Sequence, residues 1–191
     1  MTIDASLVLA LWVVLITYWL VSAALGTKRA VGKRGWSKEI GFRLVFLALA
    51  IVLLRHPGVR QALRDAQLRA AGSPILGAIG VACCALGVAL ALWARIALGR
   101  NWGVPMSRKE QPELITTGPY AFARHPIYGG FLLAMAGSAM GASVLFVLVL
   151  VPAAVYFLYS AHREEQLMTR QFPDVYPAYR QRTKMLIPFL V

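Results

Sequence analysis

Long apolar runs separated by shorter polar ones set the plan of this chain. Residues 5–25 (ASLVLALWVVLITYWLVSAAL) carry no charge. Residues 44–54 (LVFLALAIVLL) are apolar, and the run extends over 40–56 if Arg43 lifts its charged head to an interface while its stem lies along apolar surface. Residues 74–94 (PILGAIGVACCALGVALALWA) are again uncharged, and so is the whole of 126–161. A helix that crosses a bilayer needs roughly 20 residues. The last run is too long for one crossing and tight for two. Gly137, Ser138, Gly141, Ala142 and Ser143 lie near its middle, which predicts a helical hairpin turning at about 140–143. The pattern as a whole predicts an all-α integral membrane protein of about five transmembrane helices, the last two forming the hairpin. The first run has no basic stretch ahead of it, and further runs follow, so it reads as a retained helix rather than a cleaved leader.

Composition agrees with this plan. Charged residues make up 15% of the 191 positions and hydrophobic ones 59%, whereas soluble domains carry about a quarter charged residues. The formal net charge of +12 raises the question of nucleic acid, but its distribution answers with a membrane. Lys28, Arg29, Lys33, Arg34 and Lys38 crowd the first polar segment. Arg95, Arg100, Arg108, Lys109 and Arg124 fill the third, and Arg163, Arg170, Arg180, Arg182 and Lys184 the last. Basic residues accumulate on the cytoplasmic side of bacterial-type inner membranes. The expectation is a multi-pass cell-membrane protein with the first, third and last polar segments in the cytoplasm. Arg55, Arg60, Arg64 and Arg69 break the alternation; HPGVRQALRDAQLRA reads instead as an amphipathic helix lying among headgroups. No nucleic-acid partner is expected. Cys83 and Cys84 are adjacent in mid-run, and neighbours on a helix point about 100° apart, so they are read as packing residues and no metal site is expected.

Two stretches divide the chain: 1–94 as N-terminal transmembrane helices and 95–191 as the region that carries chemistry. A hairpin over 126–161 brings its own two ends together, His125–Tyr128 at one and His162–Glu165 at the other. Pro126 suits the first turn of a helix, where its missing N–H costs nothing. His125 then falls at the N-cap, with Tyr128 on the same face. Free backbone N–H groups there, beside Arg124, make an expected anion site. Glu164 and Glu165, placed at the end of the second hairpin helix, oppose its dipole and call for a cation. A zwitterion fits between two such ends.

The segments LGRNW, SRKEQPELITTGPYAFARHPIYGG and REEQLMTRQFPDVYPAYRQRTKMLIPFL closely resemble the isoprenylcysteine carboxyl methyltransferase family of integral membrane enzymes, in a compact, bacterial-type form. The resemblance covers about residues 95–190 and rests on RHPIY, then EEQL, then F-x-x-x-Y-x-x-Y and a closing proline. It implies S-adenosylmethionine as cofactor and a cofactor site at the cytoplasmic base of the hairpin. By the same resemblance, His125, Pro126, Tyr128, Tyr120 and the Glu113–Leu114–Ile115 stretch line the cofactor pocket, Glu164 is the carboxylate at the cofactor, and Glu165 assists. Eukaryotic members carry an arginine four residues before that glutamate, where this chain has Ser160. Another cation must then hold an acidic acceptor; Arg163 is the nearest in sequence, with Arg95 and Arg100 as further candidates, and Arg124 beside the helix start. The implied reaction is methyl transfer to a lipophilic small-molecule or prenylated acceptor, a carboxylate or a thiol, drawn from the membrane lipid phase. Three other classes stand beside it: a phospholipid or amine N-methyltransferase, a nicotinamide-dependent reductase of the sterol type, and a non-catalytic membrane protein.

Overall fold

The computed structural model describes residues 2–24, 30–31, 52, 55–71, 73–102, 108–109 and 113–186. The apolar run expected at 40–56 lies almost entirely outside these residues. Among the described residues six α-helices follow in order: α1 (Ile3–Ala24), α2 (Pro57–Ala71), α3 (Pro74–Leu98), α4 (Pro126–Gly141), α5 (Val147–Gln171) and α6 (Tyr176–Arg182). A two-residue antiparallel ladder, Ala30–Val31 with Arg108–Lys109, is the one named sheet among the described residues. Among the described residues three helical segments are long and apolar enough to cross a membrane: Ile3–Ala24, Pro74–Leu98 and Val144–Gln171. At 16 residues, α4 is shorter than these three.

Local chemistry sets the helix ends. The Ser73 hydroxyl accepts from the Leu76 N–H at 3.3 Å, and Pro74 fills the first position of α3. Gly99 closes α3 with φ of 51°, a conformation that costs glycine nothing. α4 ends at Gly141, and a 3-10 turn over Val144–Phe146 leads into α5. There the Gln67 side chain of α2 grips the connection at two points. Its amide nitrogen donates to the Ala142 carbonyl at 3.5 Å, and its oxygen accepts from the Val144 N–H at 2.8 Å.

The α3–α4 interface is built from small residues. A methyl group on Gly80 would run into the backbone of Gly137 and Gly141, and one on Gly87 into that of Gly130 and Ala134. The two backbones therefore touch, the packing that small residues permit where hydrophobic burial drives nothing. Val8 and Leu15 of α1 pack against this pair, with Cys84, Val88, Ala91 and Ala134. A polar thread crosses the same core: the Trp12 indole donates to the Ser138 hydroxyl at 2.9 Å, and Ser138 donates to the Ala134 carbonyl at 2.8 Å. Outward-facing Leu9, Val13, Leu86, Val149 and Val151 are exposed, as lipid-facing side chains are.

Arg95 is buried in the last turn of α3. It donates to the Gly99 carbonyl at 2.8 Å and to the Ser22 carbonyl at 3.2 Å, and its guanidinium lies 4.6 Å from the Trp102 ring centroid. This arginine fastens the end of α1 to the end of α3 and brings Trp102 against Trp19.

Candidate functional site

The site forms where the start of α4 meets the later half of α5. Before α4, the 3-10 turn Gly118–Ala121 sits on the end of α3, with Gly118 at φ of 61° over Trp93 and Ala97. The backbone then runs beside residues 183–185. Ala123 bridges to Lys184 in parallel fashion, the Arg124 N–H donates to the Lys184 carbonyl at 2.8 Å, and the His125 N–H to the Met185 carbonyl at 2.9 Å. The amides of Arg124 and His125 are taken up by the returning segment.

His125 caps α4 and Pro126 begins it. From there side chains reach across to α5. The Tyr128 hydroxyl donates to Glu164 Oε1 at 2.7 Å, a contact between residues 36 apart in the chain. His125 Nδ1 lies 3.5 Å from Glu164 Oε2, and its Nε2 lies 3.7 Å from Glu165 Oε1. The Tyr128 ring stacks between two others, 5.5 Å from His125 and 4.6 Å from Phe157 by ring centroids. Phe157 has no motif around it, but it lies two helical turns before Glu164 and so shares its face.

Glu165 is almost fully buried, and two arginines compensate it. Arg124 Nε reaches its Oε1 at 2.6 Å, and Arg180 Nε its Oε2 at 3.2 Å. Arg124 also donates to the carbonyls of Arg180 and Thr183. A buried carboxylate is tolerated only with such pairing. Arg124 is therefore a clamp that ties α4, α5 and the segment after α6 together. Arg180 was legible in the sequence only as one basic residue among several. A correction concerns Glu164 and Glu165. They do not end α5, which runs on to Gln171, so the unfavourable dipole at a helix terminus does not arise for them.

Burial opposes charge on His125, but hydrogen bonding to Glu164 and Glu165 and their negative charge outweigh it and raise its pKa above the ordinary 6.5. Tyr120 is buried, and burial raises its hydroxyl pKa above the ordinary tyrosine value. Tyr179 is likewise pushed up to about 12, chiefly by burial. It remains a donor and holds the Tyr120 carbonyl at 2.6 Å. These two tyrosines brace the turn that delivers Arg124 and His125.

The structure brings Tyr120, Arg124, His125, Pro126, Tyr128, Glu164 and Glu165 into one connected group. Glu113 stands apart, exposed and hydrogen-bonded by the Asn101 side chain at 2.8 Å, while Leu114 and Ile115 are half-buried. Arg163 is exposed, on another face of α5 from the buried Ser160 and Glu165. Arg95 spends two of its donors on backbone carbonyls. Ser160 is fully buried and its hydroxyl has no hydrogen-bond partner. Among the described residues, no cluster of three or more His, Cys, Asp or Glu side chains is placed to hold a metal ion.

A helical membrane protein with a carboxylate–imidazole–tyrosine cluster at one end is what these residues define. The phospholipid methyltransferase family profile matches residues 75–175, just over half of the chain, and the chain belongs to that family of membrane methyltransferases. The likeness to isoprenylcysteine carboxyl methyltransferases read from the motifs is borne out. The chain is 30% identical over 119 residues to protein-S-isoprenylcysteine O-methyltransferase B of Arabidopsis thaliana, covering 58% of each chain. It is 33% identical over 108 residues to the nickel-cobalt-cadmium resistance protein NccN of Alcaligenes xylosoxydans xylosoxydans, covering 55% of this chain and 48% of that one. It is 39% identical over 80 residues to methanethiol S-methyltransferase 1 of Bradyrhizobium diazoefficiens, covering 41% and 27%. The matched region spans about half the length of most of the curated relatives.

Proposed function

We propose that this protein transfers a methyl group from S-adenosylmethionine to a lipophilic acceptor, a thiol or a carboxylate, at the membrane boundary. The observation that carries this reading is the convergence of His125, Tyr128, Glu164 and Glu165 from two helices onto one polar cluster. In it Glu164 remains partly open, with 22% of its side chain exposed, while Glu165 is sealed by arginines.

The residues present fit the cofactor. An open carboxylate suits the ammonium of an amino acid and the neighbourhood of a sulfonium, and the unpartnered Ser160 hydroxyl, one turn earlier on α5, is a buried donor without an acceptor. When bound, S-adenosylmethionine supplies an electrophilic methyl group on a cationic sulfur. The protein's own work is then to bind and orient. Tyr128 fixes one oxygen of Glu164 and His125 faces the other, so the carboxylate is held in one orientation before any ligand arrives. His125 stands between the two glutamates, whose hydrogen bonding and charge favour its protonated form. Arg124, Arg180 and Glu165 hold the segment after α6 against the helix start. A carboxylate acceptor is already an anion near neutrality and demands no base, whereas a thiol acceptor, with an ordinary pKa of about 8.5, has to give up its proton to solvent as the methyl group is transferred.

Placement in the membrane belongs to the same reading. Five crossings, a helical hairpin formed by α4 and α5, an inner-membrane location and a site facing the cytoplasm together explain the distribution of basic residues. They also let a greasy acceptor approach from the lipid side while the polar cofactor enters from water. Apolar residues such as Val151 and Val155 are exposed on α5, which supports a lipid-side approach.

The test is a thermal-shift comparison of S-adenosylmethionine, S-adenosylhomocysteine and NADPH on the protein in detergent, followed by transfer of labelled methyl into organic-extractable thiols, carboxylates and amines. A ligand that binds the folded state raises its apparent stability. Stabilisation by the two adenosyl compounds and labelled thiol or carboxylate product are expected. Stabilisation by NADPH alone would overturn the reading, and label found only in amines would move it to N-methylation.

A further inference from the structure

A cleft of about 290 Å³ opens beside the site, on the side of the segment that follows α6. Its walls include Arg124, Arg180, Arg182, Thr183 and Lys184. Of its four cations, Arg124 and Arg180 share one carboxylate, Glu165. Among the described residues Arg182 and Lys184 enter no ion pair, and both are exposed. The four cations of the cleft thus exceed by about three charges the one carboxylate that pairs with any of them. Guanidinium groups present planar, paired donors that match the oxygens of a phosphate, and the Thr183 side chain is turned elsewhere, donating to the Tyr179 carbonyl at 2.8 Å.

The setting adds to this. The cleft lies beyond the polar end of α5, one of the segments able to cross a membrane. Phe122 and Val175, close in sequence to its lining residues, are exposed large apolar side chains at the same end. Cations near the end of a helix able to cross a membrane, with exposed apolar side chains close by in the chain, are the surroundings that a lipid phosphate meets.

We infer that this cleft is a phosphate-binding site, separate from the cluster around Glu164 and walled off from it by the Arg124–Glu165 pair. The site binds the phosphate group itself, and that group arrives either on a phospholipid or as a free ion. Its existence does not depend on methyl transfer.

The experiment uses the full chain in an uncharged detergent and the double variant Arg182→Gln/Lys184→Gln. Inorganic phosphate is titrated by calorimetry, and phosphatidylglycerol binding is followed by native mass spectrometry, with phosphatidylcholine as the zwitterionic control. Removing two cations is expected to weaken phosphate binding by about thirtyfold. The conservative variant Arg182→Lys/Lys184→Arg should keep most of it. S-adenosylhomocysteine stabilisation, which reports folding and the neighbouring site, should be the same in all three proteins. Loss of phosphatidylglycerol binding in the double variant assigns the cleft to a lipid headgroup, and loss of inorganic phosphate binding alone assigns it to a free ion. No binding from either source, or binding that the double variant leaves unchanged, overturns the inference.

Discussion

At the scale of single residues, His125 is the most exacting side chain of the site. It lies between two carboxylates, and its pKa is raised in the folded protein above its ordinary 6.5. A group whose folded pKa is raised contributes stability that is full below its unfolded value and fades as the pH climbs through the folded one. The protein should therefore lose thermal stability in detergent between about pH 6.5 and the alkaline side, and His125→Asn should flatten that loss while leaving the acidic end lower than wild type. A wild-type and variant difference that does not change with pH would contradict this. Tyr128→Phe is the milder probe. It keeps the ring stacked between His125 and Phe157 but removes the bond to Glu164, a hydrogen bond to a charged group worth about 1.5 kcal/mol. S-adenosylhomocysteine affinity should fall by about tenfold in calorimetry, while the melting temperature drops by only a few degrees. His125, Pro126, Tyr128 and the two glutamates were all legible in the sequence, because polar residues in an apolar neighbourhood need a reason and two helix ends supply it. Phe157 and Arg180 were not. One is an apolar residue in an apolar helix, the other a basic residue in a basic segment, and only their positions in space distinguish them.

At the scale of elements, the apolar runs located α1 and α3 to within a few residues, because length and hydrophobicity suffice for a helix whose surroundings are lipid. What they could not convey is how closely the helices approach. The backbones of α3 and α4 touch at Gly80 and Gly87. Gly80→Val should therefore cost about 1–3 kcal/mol, seen as an earlier unfolding midpoint in detergent. Gly58→Ala in α2, where the added methyl would meet only His56 at ordinary contact distance, should be neutral or slightly stabilising. If both behaved alike, close packing would not be what those glycines are for. The ends of α5 were also misjudged from sequence. The charges from Arg163 onward look like a helix stopping at an interface, yet the helix continues to Gln171, with Glu165 turned inward and Arg163 outward.

At the scale of the whole molecule, the site is made by parts far apart in the chain. Segments 118–128, 157–165 and 176–186 assemble around one carboxylate pair, and they can do so only if all three lie on the same side of the bilayer. Single cysteines at Gln111 and Gln181, in a background with Cys83 and Cys84 replaced, should both be modified by an impermeant reagent from the cytoplasmic face and from that face alone. Reaction of either from outside would separate segments that the fold requires to meet.

The clamp at Arg124 also has a consequence in time. A ribosome delivers Arg124 and His125 well before Thr183, Lys184 and Met185, whose carbonyls occupy the donors of those two residues. Until that later stretch emerges, Arg124 can reach Glu165 but not the Thr183 carbonyl, and two amides lack their acceptors. The site therefore cannot mature one helix at a time as the chain inserts. A chain arrested before residue 183 is expected to insert but not to retain S-adenosylhomocysteine.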